Sequence, residues 1–167
     1  MAAKKFLRLV SGVFTEVFGV QTSAGASNAG DIVSLDDTGK IDASMMPVGI
    51  GADVVNLTAT EALNAGDWVN IHAGGVRKAD ATTAGKEADG FVLAAVGSGA
   101  TASVYKEGTN TQLTGLTLGA TLYLSTTPGL ASATPPSANG NVLQRVGKAV
   151  STTSADWERG EPVTLVA

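Results

Sequence analysis

Three short stretches of this chain repeat one arrangement: a glycine leads into a strand-like run, and a second glycine closes a turn nine or ten positions later. Residues 62–79, ALNAGDWVNIHAGGVRKA, show it most fully. Ala65-Gly66-Asp67 turns the chain into Trp68, Val69 and Ile71, whose aromatic and β-branched side chains favour a strand. Ala73-Gly74-Gly75 supplies residues that tolerate positive φ, and residues 76–79 return as the second arm of a hairpin. Residues 28–42 and 118–129 echo the pattern, with turns at Asp36-Asp37-Thr38-Gly39 and Thr127-Pro128-Gly129. The leading and closing glycines are separated by nine (30 to 39), nine (66 to 75) and ten (119 to 129) positions. A recurring hairpin of this kind is a folding device and carries no catalytic signature.

Composition extends the same constraint. Glycine accounts for 21 of the 167 residues, well above the usual share of roughly 7%. Combined with short runs of Val, Thr and Leu, it predicts many turns between short strands, in one main domain with a smaller appendage. Charged residues are only 16% and the net charge is −4, which argues against nucleic-acid binding, because that needs clustered Lys and Arg to displace counterions. The absence of cysteine excludes disulfides and thiolate metal sites. No apolar run approaches the roughly 18 residues of a membrane-spanning helix. Arg8 and Ser11-Gly12 interrupt the apolar segment that a signal peptide would need.

Residues 6–20 admit two readings. Phe6, Val10, Val13, Phe14, Val17 and Phe18 lie near helical spacing. Leu7 and Leu9 before Ser11-Gly12, with Val13, Thr15 and Val17 after it, instead fit a hairpin with a two-residue loop, and the Val and Phe content favours strands. Either way the segment is too small to form a core alone and must dock on something. Residues 21–30 read as a linker or extended arm, and a boundary is expected near 47–51, where Pro47, Gly49 and Gly51 follow Met45 and Met46. The expected division is therefore an arm over 1–48 and a β-domain over 49–167.

Beyond that boundary the pattern predicts strands at 54–57, at 91–96 (FVLAAV, a buried strand), at 101–106 with Ala102, Val104 and Lys106 alternating with Thr101, Ser103 and Tyr105, and at 142–150 with a bulge at Gly147. Residues 80–89, 107–112 and 151–160 read as polar loops. Residues 162–166 close the chain as an apolar strand tied into a sheet. About ten short strands and no long helix predict a mainly β fold, a small β-barrel or β-sandwich preceded by an extended N-terminal arm.

The search for chemistry yields little. His72, the only histidine, sits at a predicted hairpin tip, where solvation is the ordinary expectation. Asp36-Asp37-Thr38-Gly39-Lys40-Ile41-Asp42 has some of the carboxylates of a calcium loop, but Lys40 stands where an oxygen ligand is needed, and Asp-x-x-Gly is commonly a turn. Glu87 with Asp89, and Asp156 with Glu158, read as solvated loop carboxylates. Gly97-Ser98-Gly99 joins two strands, whereas a phosphate cradle requires a helix start behind it. Catalytic, cofactor-binding and metal-binding residues are all expected to be absent. Trp157, flanked by Asp156 and Glu158, has two readings of equal weight: an outer-surface aromatic that stacks on a sugar or anchors an interface, or a side chain folded back over the end of the domain.

Certain runs resemble the structural proteins of tailed bacteriophages. They are Thr15-Glu16-Val17, Ser23-Ala24-Gly25-Ala26, Gly39-Lys40-Ile41-Asp42-Ala43-Ser44-Met45-Met46-Pro47 and Gly160-Glu161-Pro162-Val163-Thr164-Leu165. The likeness is to capsid decoration (cement) and head-fibre proteins, and residues 79–108 are similar to their β-barrel. The resemblance implies a non-enzymatic homotrimer, made in the host cytoplasm and placed on the outer capsid surface of the virion. Its arm would grip the major capsid protein, with no nucleic-acid or membrane partner. The candidate capsid or subunit contacts are Phe6, Leu7, Leu9, Val13, Phe14, Val17, Phe18, Met45 and Met46. The alternative is a tail-fibre or adhesin module that binds host glycans through Trp157, Tyr105 or Tyr123.

Overall fold

The computed structural model describes residues 5–46 and 53–166. Pro47, Gly49 and Gly51 of the expected boundary lie outside the described residues. The chain is mainly β and divides into two compact units, Met1–Gly51 and Ala52–Ala167.

In the first unit, β1 (Lys5–Val10) and β2 (Val13–Phe18) form an antiparallel hairpin. Its two-residue loop is Ser11-Gly12, both at positive φ (50° and 84°), the geometry whose twist matches that of the flanking strands. The strand reading of residues 6–18 therefore holds, and the helical spacing is incidental. From Val20 the chain makes one parallel bridge to Val33, then the short 3-10 turns Gly25–Asn28 and Ala43–Met45. The hairpin expected over 28–42 does not form. Its two turns are present, but among the described residues the stretch between them makes one isolated bridge, Val33 to Val20, and no ladder to complete a strand.

In the second unit, one antiparallel sheet runs in the order β3-β7-β6-β4-β5: β3 (Val54–Thr58), β7 (Thr101–Tyr105), β6 (Gly90–Phe91), β4 (Trp68–His72) and β5 (Gly75–Lys78). A second runs β10-β9-β12-β13-β8: β10 (Ala131–Ser132), β9 (Thr121–Leu124), β12 (Arg145–Ala149), β13 (Ala155–Trp157) and β8 (Thr109–Asn110). A short pair joins β11 (Val142–Leu143) to β14 (Val163–Thr164), so the closing apolar segment is tied in as expected. The first sheet curls until Ala59 bridges Val76 and Thr60 N–H donates to Val76 C=O; among the described residues its edges form no longer ladder and no closed barrel.

The repeated template is visible as one turn used three times. The carbonyls of Asn28, Asn64 and Thr117 accept from the N–H groups of Asp31, Asp67 and Ala120 at 3.1, 3.2 and 3.0 Å. Gly30, Gly66 and Gly119 stand third in these turns at φ 84°, 89° and 81°, as a type II turn requires. The hairpins that follow Gly66 and Gly119 both form.

Other expectations need correction. Of residues 91–96 only Phe91 lies in a strand; Phe91 and Val92 are buried but Ala94 and Ala95 are exposed, because the chain swings away to pair with residues 63–67. The supposed loops 107–112 and 151–160 contribute β8 and β13, in which Asp156 is exposed while Asn110 and Ala155 are buried. Residues 142–150 are two strands broken at Gln144. The expected irregularity at Gly147 is present, with φ 157° and a register shift opposite β9.

Two apolar clusters support the sheets. Ala59, Leu63, Val69, Val76, Val92, Ala102 and Val104 fill one face of the first sheet. Trp68, Phe91, Leu122, Leu124, Val146 and Ala155 join the two sheets.

Buried polar groups are paired inside this frame. The Gln144 side chain acts as a substitute strand: its Oε1 accepts from Ala88 N–H at 2.8 Å and its Nε2 donates to Ala88 C=O at 2.9 Å. Gln144→Leu is expected to cost about 2–4 kcal/mol in urea unfolding, since both Ala88 groups are left unpaired in a buried site. Asp80 accepts from the Thr82 N–H and hydroxyl and from Lys86. Burial raises its pKa, but the Thr82 and Lys86 donors outweigh that and hold it below the ordinary carboxylate value. A depressed folded pKa contributes stability above the unfolded value that is lost as pH falls through the folded one. Asp80→Asn is therefore expected to cost about 1–3 kcal/mol at pH 7, and the gap from the parent should shrink on acidification below the usual carboxylate range.

Candidate functional site

The β1–β2 hairpin brings together seven of the nine candidate contact residues. Residues directly opposite in an antiparallel pair share a face. The register therefore places Lys5, Leu7, Leu9, Phe14, Glu16 and Phe18 on one face, and Phe6, Arg8, Val10, Val13, Thr15 and Val17 on the other. On the first face Leu7, Leu9, Phe14 and Phe18 are 69, 60, 75 and 54% exposed. Lys5 closes its end, with its ammonium 2.7 Å from Glu16 and 5.2 Å above the Phe18 ring. On the second face Phe6 and Val17 are half-buried and Arg8 reaches Asp31 at 3.5 Å, while Val10 and Val13 are 46 and 65% exposed.

Met45 and Met46 are not part of this surface. Met45 is half-buried and lines a small cavity of about 190 Å³ with Val20 and Val33, whereas Met46 is exposed. Apolar exposure nevertheless extends beyond the hairpin. Of the 17 large hydrophobic side chains exposed among the described residues, 11 lie in the first unit, including Val10, Ile32, Val33, Leu35 and Ile41. Among the described residues none of the buried core hydrophobics lies there. The single Val and Ile positions of 32–41 gave no periodic signal that could have marked them.

Carboxylates that might have formed an acid–base pair are engaged in holding loops. Asp36 Oδ1 accepts from the Thr38 and Lys40 N–H groups and the Thr38 hydroxyl at 2.7–2.9 Å. The Lys40 N–H and the Thr38 hydroxyl are the main reasons its pKa lies below the ordinary value. The run that resembled a calcium loop is thus an Asp-capped turn. Asp89 accepts from Ile71 N–H and from Arg159, both at 2.9 Å; Glu87 caps Gly85 N–H; Asp156 takes the Thr109 hydroxyl; and Glu158 pairs with Arg145. His72 is not simply solvated, since its Nε2 lies 3.1 Å from the Thr60 hydroxyl across the hairpin end.

Compared with protein-family models and with curated proteins, the sequence matches none of them. The assignment of a role therefore rests on the geometry. No helix among the described residues is long and apolar enough to cross a membrane.

Trp157 resolves toward the inward of its two readings. Its ring stacks on the fully buried Trp68 at 5.2 Å with an interplanar angle of 27°, and it packs against the cluster that joins the two sheets. One ring face is thereby taken from any outside ligand. Tyr105 is also half-buried, stacked on Phe91 at 5.5 Å. Trp157→Ala is expected to lower stability by about 2 kcal/mol in thermal or urea unfolding, less than a fully buried Trp would cost; a purely surface aromatic would leave the midpoint unmoved.

Proposed function

We propose that this chain is a non-enzymatic structural protein of a tailed-phage virion. In this reading the first unit docks on the capsid lattice and the second unit is displayed outward, with the protein acting as a homotrimer. The observation that carries the reading is the apolar face of the hairpin. Leu7, Leu9, Phe14 and Phe18 sit in water on a two-stranded ribbon, an element that is marginal by itself and needs a surface beneath it. Burying side chains of this size stabilises by roughly 1.5–3 kcal/mol each, so four of them suffice for a firm anchor. The partner is the major capsid protein, and the rest of the molecule supports the reading: Asp89 is engaged by Ile71 N–H and Arg159, and the second unit holds a packed core of its own.

Co-sedimentation with the mature capsid tests the proposal, together with analytical ultracentrifugation of the free protein. The double variant Leu7→Asp/Phe14→Asp is expected to bind roughly 100-fold or more weakly while keeping the parental unfolding midpoint of the second unit. A protein that stays monomeric and sediments apart from capsids overturns the reading. Undiminished binding by the double variant moves the anchor to the second unit.

A further inference from the structure

Strand β7 has one edge covered and one edge open. Ala59 N–H donates to Ala100 C=O at 2.8 Å and Lys106 N–H to Asp53 C=O at 2.7 Å. These bonds set the parity of the ladder: the even-numbered residues of β7 turn their backbone groups toward β3, and Thr101, Ser103 and Tyr105 turn theirs the other way. On that side β6 covers Tyr105 alone, through its pairing with Phe91. Among the described residues Thr101 and Ser103 have no strand beside them there.

The chain that would have continued β6 is held elsewhere. Val92 N–H donates to Asp67 C=O at 3.1 Å and Val92 C=O accepts from Gly66 N–H at 2.8 Å, while Val96 exchanges bonds with Leu63 at 2.8 and 2.9 Å. The segment bows away from β7 and leaves a cleft of about 440 Å³ lined by Leu93, Ala95, Val96, Thr101, Ser103 and Tyr105 among others. Every residue lining it is uncharged.

We propose that this cleft receives one extended, uncharged peptide segment of a partner polypeptide, taken up as an added strand against β7. The open edge supplies N–H and C=O groups at Thr101 and Ser103, which an extended chain matches in spacing and in donor–acceptor order. Leu93, Val96 and Tyr105 supply apolar walls for its alternate side chains. A charged segment would lose hydration in the cleft without gaining an ion pair. The volume suits a short stretch of a few residues. The site lies wholly in the second unit and stands whether or not the hairpin of the first unit is an anchor.

Amide hydrogen exchange followed by NMR on the full chain tests this, with the capped pentapeptide Thr-Val-Ala-Val-Thr as probe at about millimolar concentration. In the free protein the amides of Ala102 and Val104 are expected to exchange slowly and those of Thr101 and Ser103 fast. Added peptide is expected to slow Thr101 and Ser103 about tenfold or more and to shift the resonances of Leu93 and Val96. The same peptide N-methylated on both valines should do neither. Ala95→Glu, an exposed position that leaves both cores untouched, should abolish the effect while keeping the parental spectrum elsewhere. The proposal is overturned by any of four results: protected Thr101 and Ser103 amides in the free protein, no response to the peptide, equal binding of the N-methylated peptide, or protection that rises with protein concentration alone, which would make the occupant a second copy.

Discussion

The second unit depends on the burial of Trp68. Its indole is fully buried, set edge-on to Phe91 at 5.6 Å and stacked on Trp157 of the other sheet. Around it the backbone closes a short circuit: Trp68 N–H donates to Gly129, Gly129 N–H to Ala79, and Ala79 N–H to Trp68. Leu122, Leu124, Val146 and Ala155 complete the cluster from the second sheet. Two sheets of short strands are thus joined around one large side chain. The geometry has a cost, for Trp68 Nε1 is buried without an acceptor among the described residues, a defect of roughly 1–3 kcal/mol that the packing offsets.

The two units solve the burial problem in opposite ways. The second places its large apolar side chains inside and pairs its buried carboxylate and amide groups, as Asp80 and Gln144 illustrate. The first leaves Leu7, Leu9, Phe14, Phe18, Ile32 and Leu35 in water around a hairpin whose outer edges pair with no other strand among the described residues. A ribbon of that kind is a liability in a free monomer and an asset in an assembly, because the same unpaired edges and apolar face become contact surface once a partner is present. The open edge of β7 is a smaller instance of the same physics, set inside a sheet instead of on an arm.

Local chemistry alone dictated much of this. Ser11-Gly12 set the tight hairpin loop, glycines 30, 66 and 119 set three equivalent turns, the alternation of residues 101–105 placed Ala102 and Val104 inward, and Gly147 marked the irregular strand. Each depends on φ preference or on a period of two, which neighbouring residues supply by themselves. What tertiary structure decided were the partners. A strand exists only when a ladder is available, so apolar residues 92–96 leave their expected strand while residues 155–157 become a strand beside β12 and polar residues 109–110 one beside 155–157. Residues 28–42 keep their turns and lose their hairpin for the same reason. Likewise the charged neighbours of Trp157 left its direction open, and only the position of Trp68 on the facing sheet turned it inward. The sequence determined where this chain bends and which side chains seek cover; distant hydrogen-bonding partners decided which segments pair and which apolar faces stay open.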